Sequence, residues 1–185
     1  MASGSGTNAQ NLARHFKDHP FINVALIISN KANAYVLERA KQESIPAVVI
    51  SKEQWKDPNQ AGAVFKKYDI CFVVLAGYLL LIPHWLIQRY PNRIINIHPA
   101  LLPRFGGKGM YGDHVHKAVI ASGERESGIT IHYVNEKYDE GDIVFQARCP
   151  VIPSDTPETL AKRIQQLEHT HYPQVVEGVV RERTS

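Results

Sequence analysis

What most constrains this chain is a repeated change of hydrophobic period along its first hundred residues. Short, mostly apolar runs rich in Val and Ile, FINVALIISN (21–30), AVVI (47–50), CFVVLAG (71–77) and RIINI (93–97), alternate with helix-like stretches at 9–17, 32–42, 60–67 and 83–90. Runs that are apolar on both faces are what strands covered on both sides require. Strand and helix in turn predict an α/β fold, a mostly parallel twisted sheet flanked by helices. Beyond residue 113 the pattern predicts a helix over 114–122, a pair of strands near 128–135 and 143–152, and a last helix opened by SDTPET. There Asp155 or Thr156 can cap and Pro157 suits the first turn. With 44% hydrophobic and 21% charged residues and no linker-like stretch, one domain over residues 1–185 accommodates all of these elements.

Sheets of this kind collect ligands at the carboxyl ends of their strands. NIHPALLPRF (96–105) stands at such an end. Asn96 and His98 share one strand face because strand side chains alternate, and Pro99 disfavours the helical region for His98, so the strand continues through the histidine. An amide donor beside a titratable imidazole suits the stabilisation of an oxyanion at a carbonyl under attack, which points to acyl or one-carbon transfer.

Three further stretches could carry chemistry. SGSGTNAQNL (3–12) is a Gly/Ser loop opening into a helix, so its N–H groups and helix dipole suit an anion, with phosphate the natural guest. It matches neither the P-loop nor the dinucleotide fingerprint, and a flexible tail is the competing reading. NEKYDEGDIVFQ (135–146) offers Asp139, Glu140 and Asp142 in one turn; any of them facing His98 would raise the imidazole pKa and orient the ring, and spacing leaves the choice open. Glu168 falls four residues after Ile164, close to the stripe of Leu160, Ile164 and Leu167, where a carboxylate needs either an ion-pair partner or ligand hydroxyls or an amine.

Other classes are disfavoured. The net charge of +3, from 21 basic and 18 acidic residues, includes no basic tract, so nucleic acid is not implied. No apolar stretch reaches the ~18 residues of a membrane span, and MASGSGTN is not a signal peptide. Cys71 and Cys149 lie in strand-like apolar runs and read as buried reduced thiols, which suits the cytoplasm. The histidines of HVH (114–116), His132, His169 and His171 lack HExxH or Cys-pair spacing, so no metal is expected. His114 and His116 would lie about 200° apart on a helix. Trp55 and Trp85 read as core.

Taken together, SGSGTN, VVLAGY, NIHPALLPRF, GITIHYV, YDEGDIVFQ and QQLEHTHYP resemble, in order and rough spacing, the glycinamide ribonucleotide transformylases, a branch of the folate-dependent formyltransferase family. The resemblance covers nearly the whole chain. It implies a Rossmann-like formyltransferase fold whose first, central strand precedes SGxGTN, and with so little chain ahead of that loop the strand is expected to be lacking here. It also implies transfer of the formyl group of 10-formyltetrahydrofolate to the amine of 5′-phosphoribosylglycinamide, with no metal. Position by position it makes Asn96, His98 and Asp139 the catalytic trio, with Asp139 keeping His98 charged. Gly6, Thr7 and Asn8 match the phosphate loop, and Glu168 the acid that meets the ribonucleotide. Leu79, Leu80, Leu81 and Ile82, with Val134, Asn135 and Tyr138, match the folate pocket. Small-molecule substrates and a monomer or homodimer follow. The loop RFGGKGMYGDHVH looks longer than in some members. Hydrolysis of formyltetrahydrofolate and a non-catalytic phosphate-ligand module are the alternatives.

Overall fold

The computed structural model describes residues 1–184. In chain order its elements are α1 (Thr7–His15), β1 (Ile27–Ser29), α2 (Val36–Gln42), β2 (Ala47–Val49), α3 (Pro58–Lys67), β3 (Val73–Leu75), α4 (His84–Arg89), β4 (Ile94–His98), α5 (Asp113–Ala121), β5 (Glu126–Tyr133), β6 (Ile143–Pro150) and α6 (Pro157–Thr184). The alternation of period thus yields the expected strands and helices, with shorter amino-terminal strands. Only Ile27–Ser29 of the 21–30 run is strand, because only there does a paired neighbour, β2, run alongside. Helix α3 starts where Asp57 accepts hydrogen bonds from Asn59 N and Gln60 N, with Pro58 at the first helical position.

The strands form two groups. β1 and β2 pair in parallel, and β3-β4-β5-β6 form a second sheet in which β3 and β4 are parallel while β4-β5 and β5-β6 are antiparallel. The lane between β1 and β3, where the sequence leads one to expect a missing strand, holds Met1–Ser3. The Met1 amine donates to the Val74 carbonyl at 2.6 Å, Ala76 N–H donates to the Met1 carbonyl, Ala2 N–H to Ile28, and Ser3 N–H to Gly77. These residues stitch the two sheets together at the end nearest the site. Farther along, the lane is an apolar slot of about 290 Å³ walled by Phe16, Ile22, Val24, Ile27, Phe72 and Val74. Cys71 also lines the slot and is exposed, a correction to its reading as a buried strand thiol; it lies two residues before β3, beyond the reach of strand pairing.

Alternation along β4 sends Ile95 and Ile97 into a core with Leu12, Phe16, Leu160 and Tyr172, and Ile94 into a second core with Phe65, Leu86 and Trp55. Asn96 and His98 share the parity of Ile94, as the sequence predicts, and the strand does run through His98. Helix α6 contains Pro173, which cannot donate to the carbonyl four residues earlier. That orphan, His169 O, accepts instead from Asn11 Nδ2 at 2.8 Å, so the proline becomes a tie between α6 and α1.

Candidate active site

Helix α1 begins directly after Gly6, whose φ of 75° lies in the left-handed region that glycine enters without strain. A Cβ there would overlap the buried Val36 side chain, so the position is closed to larger residues from behind. The first helical hydrogen bond runs from Gln10 N–H to the Gly6 carbonyl, which leaves the N–H groups of Thr7, Asn8 and Ala9 outside the helical ladder. Asn8 Nδ2 donates to Glu168 Oε2 at 2.8 Å, while Asn8 Oδ1 is buried without a partner. Gln165 Nε2 donates to Thr7 Oγ1 at 3.2 Å, so α6 lies along this loop. Burial raises the Glu168 pKa against the opposing effect of the Asn8 hydrogen bond.

At the end of β4 the chain turns sharply, and its turn is fixed by Thr130 of β5. The Thr130 hydroxyl donates to the Ala100 carbonyl at 2.7 Å and accepts from Leu102 N–H at 3.0 Å, and Gln146 Nε2 bonds both that hydroxyl and the Leu102 carbonyl. The loop returns so that the Phe105 carbonyl accepts from His98 Nε2 at 2.8 Å. A carbonyl can only accept, so Nε2 carries the proton and the neutral ring presents its Nδ1 lone pair to Asp139 Oδ2, 3.5 Å away. The same carboxylate oxygen accepts from Gly107 N–H at 2.9 Å. Gly106 packs closely between them: a Cβ there would displace Leu102 Cδ2 and come within 3.2 Å of Asp139 Cβ. The long loop after His98 thus clamps both the imidazole and the carboxylate.

Of Asp139, Glu140 and Asp142, Asp139 is the one that meets the histidine. Its φ of 57° bends the turn so that Oδ1 faces Asn96 Nδ2 at 3.5 Å and His132 Nε2 at 3.6 Å. His132 is a site residue that sequence reasoning set aside. It stands directly across the ladder from Asn96, its Nδ1 donates to the Tyr133 carbonyl at 2.8 Å, and its Nε2 therefore accepts from Asn96 Nδ2 at 3.2 Å. The signal was present as a lone histidine within the apolar run GITIHYV, but its partner became visible only with the antiparallel register.

The electrostatics correct one expectation. Burial lowers the His98 pKa and outweighs the Asp139 carboxylate and the Phe105 carbonyl, which raise it, so His98 is neutral near pH 7 rather than held charged. Burial pushes Asp139 upward, but the His132 and His98 rings and the Gly107 N–H beside it together hold it below the usual carboxylate value.

The Gly4–Asn8 loop and the strand-end residues open onto one cleft of about 770 Å³. Gly6, Thr7, Asn8, Leu79, Asn96, His98, Tyr138, Asp139 and Glu168 all line it. Leu80, Leu81, Ile82, Val134 and Asn135 do not. Ile82 is buried in the second core with Leu80 and Val134 packed on it, Leu81 is exposed, and Asn135 accepts from Lys137 N–H at 2.9 Å. His116, which the HVH motif left unassigned, lines the cleft from α5, buried and with Nδ1 unpartnered. Among the described residues no group of three or more His, Cys, Asp or Glu side chains could hold a metal ion.

An open α/β sheet with a Gly/Ser loop at a helix start, and an Asn–His–Asp cluster at the carboxyl end of β4, both on one cleft, defines an α/β class whose site lies at the strand ends. The chain belongs to the formyl transferase family, whose pattern it matches over residues 1–176. It is 46% identical over 189 residues to the chloroplastic phosphoribosylglycinamide formyltransferase of Arabidopsis thaliana, an alignment covering 99% of this chain and 65% of that protein. With the phosphoribosylglycinamide formyltransferase of Haemophilus influenzae it shares 37% identity over 182 residues, covering 95% and 83% of the two chains. The crystal structure of the Bacillus halodurans phosphoribosylglycinamide formyltransferase superposes with a TM-score of 0.87 at 36% identity, covering 97% of this chain and 92% of that one. This chain therefore spans just under two thirds of the plant relative's length and most of the bacterial ones.

Proposed function

We propose that this protein transfers the formyl group of 10-formyltetrahydrofolate to the amine of 5′-phosphoribosylglycinamide. The observation that carries the reading is that the phosphate loop and the Asn96–His98–Asp139 cluster open onto one cleft large enough for two substrates side by side. The phosphate sits on the N–H groups of Thr7 and Asn8, and Glu168 accepts from the ribonucleotide's hydroxyl or amine donors. The formyl donor lies along Leu79 and Tyr138, which line the cleft beside the Asn96–His98–Asp139 cluster.

The amine nitrogen attacks the formyl carbon, and the carbonyl π pair moves onto oxygen. Asn96 Nδ2 keeps one N–H on His132 and turns the other, which reaches Asp139 only at 3.5 Å, to that oxyanion. The neutral His98 takes the amine proton at Nδ1, and Asp139 stabilises the resulting imidazolium at a position already set by the Phe105 carbonyl. Collapse reforms the carbonyl and breaks the bond to the folate nitrogen, which leaves with the proton from His98. The products are the formylated amine and tetrahydrofolate.

Incubation with 10-formyltetrahydrofolate, with and without the ribonucleotide, tests the reading by following tetrahydrofolate release. Release that requires the ribonucleotide supports it, release without it marks a hydrolase, and no release marks a binding module. A reducing compartment such as the cytoplasm is part of this proposal, supported by two unpaired cysteines; the Arabidopsis relative is named as chloroplastic.

A further inference from the structure

We propose that Lys162 is the cation of the phosphate subsite, the side chain that neutralises an anion seated on the Gly4–Asn8 loop. The inference rests on the phosphate-loop part of the reading above. The loop SGSGTN carries no charged side chain. A helix start supplies only about half a unit of positive charge, against roughly −1.5 to −2 on a phosphate monoester at neutral pH. A cation is therefore needed from elsewhere in the fold.

Helix α6 supplies it by its register. Glu168 meets Asn8 and, three residues earlier, Gln165 meets Thr7, so passing toward the start of α6 follows the loop backward from α1. Three residues earlier again comes Lys162, about 4.5 Å farther along the helix axis and lining the same cleft as Gly4 to Asn8. Lys162 lines the cleft with Gln165 and Glu168, is exposed, and has no ion pair among the described residues. Glu158, one turn earlier on α6, is engaged by Thr156 and lies near Lys117. The competing cations are placed differently. Arg39 is spent behind the loop, donating to the Ser5 carbonyl and to Gln10 and stacking on Tyr35 at 5.0 Å, and it does not line the cleft. Lys108 belongs to the loop that clamps Asp139. A second observation points to a ligand at this loop: Asn8 is 8% exposed and its Oδ1, an acceptor, has no protein partner, so it is open to a hydroxyl or amine donor on the molecule that carries the phosphate.

The test uses the full chain and three variants, Lys162→Ala, Lys162→Glu and Lys162→Arg, at an exposed position that does not bear on folding. Each is titrated with inorganic phosphate while the amide resonances of Gly4, Gly6, Thr7 and Asn8 are followed, and each is assayed for formyl transfer. Lys162→Ala is expected to weaken phosphate binding and raise the ribonucleotide KM about tenfold, with kcat and the formyl-donor KM within about twofold. Lys162→Glu is expected to be worse, Lys162→Arg to retain most of the affinity, and the difference between wild type and Lys162→Ala to shrink at about 0.5 M salt. Phosphate that shifts the loop amides equally in wild type and Lys162→Ala, or in neither, overturns the assignment. Loss of phosphate binding in Lys162→Ala, from a wild-type protein with no formyl-transfer turnover, keeps Lys162 and overturns the formyl-transfer reading instead.

Discussion

In a polypeptide starting at Met1, the α-amino group is fully enclosed between the two sheets, and burial lowers its pKa from 8.0 to about 5. The unfolded chain then binds the proton more tightly than the folded one, so stability rises with pH through the window between 5 and 8. It is fully present above pH 8 and lost as the pH falls. At pH 7 the penalty is about 1.4 kcal/mol, since roughly ten in eleven unfolded chains are protonated there and almost no folded ones, and at pH 5 it approaches roughly 4 kcal/mol. The perturbation that isolates this effect is Nα-acetylation. The modified Met1 keeps an N–H for the Val74 carbonyl and carries no titrating amine. Parallel pairing also leaves the Ile28 N–H turned into the lane, where the acetyl oxygen can accept from it. Urea unfolding of free and acetylated chains at pH 5, 7 and 9 reads the difference directly, because the histidine contributions are common to both and cancel. The acetylated form should be more stable by about 4, 1.4 and 0 kcal/mol from this source, respectively, plus a constant. A difference that does not change with pH, or that grows toward pH 9, would refute the buried-amine argument.

Asn96→Ala should lower turnover by roughly 10²–10³-fold while leaving ribonucleotide binding within a few-fold, as steady-state kinetics and calorimetry would show. If His98, with its lowered pKa, is the neutral base of the proposed reaction, kcat/KM should fall on the acid side below pH 6.5; Asp139→Asn removes a charge that raises that pKa, so the limb should move to lower pH as turnover drops. The His98→Ala, Asp139→Ala double variant should resemble the worse single one, and a multiplicative loss in the cycle would show that the two act separately. Gly6→Val should destabilise the fold by at least ~2 kcal/mol in denaturant melts, combining left-handed strain with overlap on Val36, and weaken both ligands. Loss of ribonucleotide binding alone, at unchanged stability, would place the side chain toward the anion instead.

Local chemistry is what the sequence by itself determined. The switch of period gave the α/β alternation, Pro99 and strand alternation put Asn96 and His98 on one face, and the Gly/Ser run before an amphipathic stretch marked the loop that opens α1. These are decided by dihedral preference and spacing over a few residues, so they survive without knowledge of the rest of the chain. Tertiary structure alone decided everything that depends on which distant groups meet. It selected Asp139 from three acids, because the left-handed turn at Asp139 and the Gly107 N–H fix which carboxylate faces the imidazole. It brought His132 across the ladder onto Asn96, and set Glu168 and Gln165 against Asn8 and Thr7 through α6. It also reversed the charge expected of His98. A carboxylate partner is legible in a sequence, but the desolvation opposing it is a property of the packed surroundings, and in this cleft burial outweighs the attraction.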